Sequence, residues 1–369
     1  MNRQLRVRYA LFVCLAAVIA LTGTFASSQA AVPPEAITQI DQIVQKARAD
    51  QKLPAVSVAV ELKGHIIFRK AYGLADLEND VPATPDTLIR TGSIAKSMTA
   101  VGALELAASG KLDLDAPIQK YCPAFPEKKW PITTRELLGH LGGIRHYEGK
   151  EPASTVHYYS TADGMTIFKN DPLVAPPGEK FRYSTYGYTV VGCVMEGASG
   201  EKYPDYMAEH VFRPAGMTHT FVDSFAIVPH RARGYEKDDD GNVRNAGLMD
   251  SSYKIPGGGY VSNPEDLVNF ANAVMTDKLL KSDTVQMMWT SQKTSDGKET
   301  HYGLGWGITE LDGIRIYAHT GGQQGTSTSL IAMPSRDYAS AVMINMESID
   351  AAKINDDITR VVMGAMKLK

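Results

Sequence analysis

Apolar residues recur at helical spacing at Ile37, Ile40, Val44 and Ala47, which predicts an opening amphipathic helix. Two β-rich runs follow, Ala55 to Leu62 and Ile66 to Tyr72, and Lys63-Gly64 between them is a hairpin signal. Beyond a loop with Pro82 and Pro85, an apolar run passes from Ile94 through Met98, Val101, Leu104 and Leu106 to a stop at Gly110. It is apolar on most faces, so it predicts a buried helix. From about 111 to 249 the chain shows short helical patterns, turns and prolines, with little strand character. Gly305 to Thr309, Ile314 to His319, Ser327 to Met333 and Ser340 to Asn345 then read as successive strands, with a turn at Pro334-Ser335-Arg336-Asp337. Ile354, Ile358, Val361, Val362 and Ala365 mark a closing helix.

Strands at both ends and helices between them predict an α/β (α+β) architecture. Its antiparallel sheet combines the N-terminal hairpin with the C-terminal strands and is flanked by the terminal helices. This part covers about 31–92 and 255–369, and a mostly helical subdomain covers about 93–254, with a ligand cleft expected between them.

The first thirty residues read differently. Arg3, Arg6 and Arg8 precede an apolar stretch, Ala10 to Leu21, and Ser28-Gln29-Ala30 offers small residues at a cleavage spacing. This predicts a signal peptide over 1–30 and an exported mature chain, with a retained anchor as the alternative. With 38 basic against 41 acidic residues and a net charge of −3, nucleic acid and anionic membranes are not expected as partners. Cys122 and Cys193 remain beyond the signal segment, and Cys193 lies in an apolar run, so two unlinked buried thiols are expected. The nine histidines are scattered, and His140 with His146 lacks a ligand spacing, so neither a metal nor another cofactor is expected.

The chemistry concentrates at Ser93 and Lys96. Three residues apart, a hydroxyl and an amine share one helix face, where the amine can take the hydroxyl's proton. Ser199/Lys202, Ser251/Lys254 and Ser295/Lys298 share the spacing, which chance supplies about once or twice in such a chain. Ser199 sits at a helix end before Gly200, and Ser295 lies in a solvated turn. Ser251 precedes Pro256-Gly257-Gly258-Gly259, through which no helix is expected to continue. Only Ser93 opens a buried helix. There, desolvation lowers the lysine toward a general base's range, whereas the plain alternative is a capping serine beside a surface lysine.

Tyr183 follows the turn at Pro177-Gly178 and precedes an expected helix from Tyr188 to Glu196, where a scaffold could pin it facing a cleft. Taken alone, it reads more simply as an amphipathic core aromatic. His319-Thr320-Gly321-Gly322 ends an expected strand, and its glycines allow a close backbone approach.

In this order, Ser93-x-x-Lys96, Tyr183-Ser184-Thr185 and His319-Thr320-Gly321 resemble the serine β-lactamase and penicillin-recognising superfamily, in its class C-like branch. Ser251-Ser252-Tyr253-Lys254, Gly257-Gly258-Gly259 and Tyr183 to Tyr188 look most like the mitochondrial β-lactamase-like serine protease and its bacterial homologues. The resemblance implies a β-lactamase/transpeptidase-like fold and an acyl-enzyme on Ser93. Lys96, Tyr183 or both would accept the Ser93 proton, and Tyr183 would pass it to the leaving group. The amides of Ser93 and Gly322 would form the oxyanion hole, His319 would complete the catalytic set, and Thr185, Thr320 and Gly321 would line the substrate site. Two departures stand out: Thr185 replaces the usual asparagine and His319 the usual lysine.

The expected activity is that of a serine peptidase or amidase, or an esterase, on a peptide or small-molecule substrate. The rivals are a true β-lactamase or D-alanyl-D-alanine carboxypeptidase, and a non-catalytic scaffold. The resemblance also allows a homo-oligomer or filament.

Overall fold

Residues 32–368 are described by a computed structural model, and the expected signal segment at 1–30 lies outside the described residues. Helix α1 (Pro34–Gln51) leads into strands β1 (Ala55–Leu62), β2 (His65–Asp76) and the short β3 (Val81–Pro82). Helix α2 (Ile94–Ala108) and helix α3 (Thr185–Ser199) follow. Four further strands, β4 (Gly307–Leu311), β5 (Ile314–Gln323), β6 (Thr326–Met333) and β7 (Tyr338–Ile344), precede α4 (Ala351–Ala365). The sheet order is β3-β2-β1-β7-β6-β5-β4, and β1 pairs antiparallel with β7. The first hairpin and the last strands thus form one sheet, as their patterning suggested. Lys63 and Gly64, with φ of 52° and 78°, make its tight turn, since a two-residue hairpin of this kind needs positive φ at both positions.

Both faces of the sheet are covered. Along β7, Tyr338, Val342 and Ile344 join Ile40 and Val44 of α1 and Ile358 and Val362 of α4 in one core. The alternate residues Ala339, Ala341 and Met343 join α2, α3 and the helix Pro264–Met275 in the other. This is the two-residue period of a strand buried on both sides. Helix α2 lies inside the second core, so Lys96 is carried wholly out of solvent.

Three local expectations change. The strand expected to end at His319 runs on through the glycines to Gln323. The Pro256 segment is helical: a 3-10 turn at Ser252–Lys254 leads into a short helix, Ile255–Gly258, because proline is tolerated in a first turn. Cys122 and Cys193 are not free thiols but a disulfide, with Cα atoms 5.5 Å apart. The turn after Ile118 sets Cys122 into the core that holds α3. The apolar setting that suggested an inert thiol is the packing that brings the sulfurs together.

Candidate active site

Gly92, at φ 51°, turns the chain into α2, and Ser93 opens that helix. The segment is pressed against the end of β5. A Cβ on Gly321 would lie 2.1 Å from Thr91 O and 3.0 Å from Ser93 N, and one on Gly92 would lie 2.7 Å from Gly322 N. Thr328 fastens the two segments together by donating its hydroxyl to Thr91 O at 2.9 Å. The backbone nitrogens of Ser93 and Gly322 therefore border one crevice, the arrangement an oxyanion hole needs.

One helical turn on, Lys96 Nζ lies 3.0 Å from Ser93 Oγ, 3.1 Å from Thr185 Oγ1 and 2.8 Å from Gly257 O. It also sits 4.8 Å from the Tyr183 ring centre. Burial holds its pKa well below the usual lysine value, and the charge of Lys254 pushes the same way. Tyr183 stands just before α3, whose first residues are fixed by Ser184: its Oγ accepts from Gly187 N at 3.0 Å and donates to Arg145 O at 2.7 Å. Burial raises the phenol's pKa, only partly offset by its hydrogen bond to Ser93, so at neutral pH it keeps its proton. Thr185 is buried, and its hydroxyl is spent on Lys96 rather than presented to a substrate amide.

His319 is fully occupied. Its Nδ1–H donates to the Thr320 carbonyl at 2.6 Å, which leaves Nε2 to accept the Tyr302 hydroxyl at 3.0 Å. Burial and then Lys96 lower its pKa to about 4, so it is neutral at pH 7. Thr320, next along the strand, is exposed. A cleft of about 470 Å³ opens there, lined by Tyr183, Tyr302, His319 and Thr320, with Glu310 and Asp356 as its carboxylates and no lysine or arginine.

The remaining serine candidates are committed elsewhere. Ser251 Oγ donates to Asp223 at 2.9 Å and Ser199 Oγ to Met195 O at 2.7 Å, while Ser295 lies in an exposed turn.

Sequence reasoning missed three neighbours. His140 is buried, accepts the Ser184 N–H on Nδ1 at 3.1 Å, and lies 4.3 Å from the Tyr183 ring centre. His146 Nδ1 accepts the Thr185 N–H at 3.2 Å, and burial lowers its pKa to about 4. Lys254, set aside with Ser251, is buried close enough to Lys96 to disfavour its charge. The same Ser-x-x-Lys spacing was its signal.

Comparison with known proteins places the chain in a family. The Beta-lactamase family model matches residues 40–362. The human mitochondrial serine beta-lactamase-like protein LACTB is 30% identical, over 90% of this chain and 77% of its own length. Penicillin-binding protein 4* of Bacillus subtilis is 27% identical, over 73% of this chain and 63% of its own. Among solved structures, the D-amino acid amidase of Ochrobactrum anthropi superposes with a TM-score of 0.77 at 25% identity, over 90% of this chain and 99% of that one. The octameric penicillin-binding protein homologue of Pyrococcus abyssi shares the fold, with a TM-score of 0.78 at 24% identity over 89% of this chain and 77% of that one. With the sheet, the flanking helices and a family match over most of its length, the chain belongs to the Beta-lactamase family of serine hydrolases.

Proposed function

We propose that this protein is an exported serine hydrolase that works through an acyl-enzyme on Ser93, with amides, peptides or esters as substrates. The observation that carries the reading is the 3.0 Å approach of Lys96 Nζ to Ser93 Oγ inside a buried pocket. An uncharged Lys96 accepts the Ser93 proton as Oγ attacks the substrate carbonyl. The oxyanion that forms faces the Ser93 and Gly322 amides. Tyr183, a protonated phenol in contact with Ser93, gives a proton to the leaving group and is replenished from Lys96. Water then releases the acyl group by the reverse proton path.

An amide substrate is favoured by the likeness to the D-amino acid amidase. A β-lactam or a D-alanyl peptide brings a carboxylate, and the cleft beside Tyr183 offers it no cation. The Cys122–Cys193 disulfide supports export, since such bonds persist in oxidising compartments. Labelling with a fluorophosphonate, followed by mass spectrometry, tests the nucleophile. The adduct is expected on Ser93 and lost in Ser93→Ala. An adduct on Ser199, Ser251 or Ser295 would overturn the assignment, and a folded protein that takes no label would return the scaffold reading.

A further inference from the structure

Lys254 is only 2% exposed, yet its one polar neighbour within hydrogen-bonding reach among the described residues is the Met249 sulfur at 3.8 Å. The rings of Tyr147 and Tyr253 face it, with centres 5.5 and 5.4 Å from Nζ. A buried amine ordinarily sits against a carboxylate, because its desolvation is otherwise uncompensated. The carboxylate whose field it feels, Asp223, is already taken by Arg90 at 2.7 Å, Arg231 at 3.4 Å and the Ser251 hydroxyl at 2.9 Å.

What Lys254 does adjoin is the Lys96 pocket. It lies on the segment that leads into Gly257, whose carbonyl holds Lys96. Tyr147, whose ring faces Lys254, stands 4.3 Å from the ring of His146, which accepts the N–H of Thr185, the other residue holding Lys96. Two amines thus share one dry wall of the site, and neither pairs with a carboxylate among the described residues.

We infer that Lys254 is a positioning residue for acyl transfer: its charge keeps the proton off Lys96, so that the Lys96 amine is free to take the proton of Ser93. The inference rests on the serine-hydrolase reading above. Two amines in one low-dielectric pocket resist double protonation, and the first proton goes to the amine less damaged by burial. Burial, then Arg90, brings Lys254 down to about 7 against the pull of Asp223, while burial, then Lys254, holds Lys96 well below the usual lysine value. The other groups facing Lys96 add no negative charge: Tyr183 and Tyr188 are phenols with raised pKa values, and His140, His146 and His319 are neutral. Its burial sets Lys254 apart from a group that touches substrate.

The pH profile of Ser93 acylation by a neutral fluorophosphonate tests this in the unaltered protein, Lys254→Met and Lys254→Arg, with thermal melting to check the fold. In Lys254→Met the acid limb is expected to rise by about one pH unit, tenfold slower labelling below the limb, with an unchanged plateau above it. Lys254→Arg keeps the charge, so its limb should stay where it is or fall. An unmoved limb in Lys254→Met, a loss uniform in pH, or a raised limb in Lys254→Arg overturns the inference. A titration of the unaltered protein with carbon-13-labelled lysine decides the matter even if neither variant folds. Two lysines displaced below the ordinary range are expected besides Lys128, which burial also lowers, and normal titration of all the others overturns it. Absence of Ser93 labelling in the unaltered protein at every pH would instead count against the serine-hydrolase reading itself.

Discussion

Lys96 Nζ stands 3.0 Å from Ser93 Oγ, held there by two other oxygen acceptors. A neutral amine has two N–H donors and one acceptor site. The carbonyl of Gly257 at 2.8 Å and the hydroxyl of Thr185 at 3.1 Å take the two donors. The remaining site points to the Ser93 hydroxyl at 3.0 Å. The scaffold thereby orients the base, while burial keeps it toward the uncharged form.

Lys96→Arg keeps a cation but supplies no lone pair at neutral pH. Acylation should fall about a hundredfold or more, the usual worth of general-base help, in a protein that still melts cooperatively. Near-normal labelling by folded Lys96→Arg would move the base role to Tyr183.

The crevice beside Ser93 makes opposite demands on two adjacent glycines. A Cβ on Gly321 would collide with Thr91 O at 2.1 Å and Thr328 Oγ1 at 2.3 Å, whereas one on Gly322 meets open space. Gly321→Ala should therefore abolish labelling or folding, and Gly322→Ala should fold and melt like the unaltered protein. Equal behaviour of the two variants would show that the strand does not abut Ser93 as described.

Substrate charge should matter. His319 is neutral with both ring nitrogens engaged, and the cleft beside it holds Glu310 and Asp356 without a lysine or arginine. A substrate carboxylate that finds no charge-assisted hydrogen bond here forgoes about 1.5–3 kcal/mol, or about ten- to a hundredfold. Penicillins and cephalosporins should turn over slowly beside neutral esters or amides. Thr320→Lys, at an exposed position in that cleft, should narrow the gap about tenfold. Fast cephalosporin turnover by the unaltered protein would restore the lactamase reading.

Stability should fall on acidification. His146 and His319 titrate at about 4 in the fold against 6.5 unfolded, and His140 is lowered in the same sense by burial. Above 6.5 all are neutral in both states and contribute no pH dependence. Between 6.5 and 4 the unfolded chain binds protons that the fold refuses, so stability drops as the pH falls. Glu61, raised to about 7 by burial, works in the opposite sense, as do Asp266, Glu347 and Asp356, which burial also raises, and these offset part of the fall. Melting curves from pH 8 to pH 4 check the sign, and a flat or rising melting temperature would mean that the histidines charge within the fold.

The disulfide joins residues 71 apart in sequence, for which chain entropy suggests about 4 kcal/mol of stabilisation. Cys122→Ser with Cys193→Ser should lose about 2–4 kcal/mol in urea unfolding. Ser93 labelling should survive at low temperature, since the bond ties α3 to the turn after Ile118 and touches no site residue. An identical urea midpoint before and after reduction would mean that the cysteines do not pair.

The chain by itself determined whatever depends on residues close in sequence. Ile94 to Leu106 carries its own helical periodicity, so the sharing of one face by Ser93 and Lys96 was legible, as was the hairpin around Lys63-Gly64. Tyr183 and His319 were legible as candidates because each is pinned at the end of a patterned element or in a familiar motif. Tertiary structure alone decided how they meet. The pairing of Cys122 with Cys193, the commitment of the Thr185 hydroxyl to Lys96 and the occupation of both His319 nitrogens link separate elements. Lys254 is the sharpest case: its spacing from Ser251 was visible, but Pro256 and the glycines beyond it argued against a helix there. Packing supplied the helical turns, buried the lysine and set it beside Lys96, because burial is a property of neighbours that the local pattern does not contain.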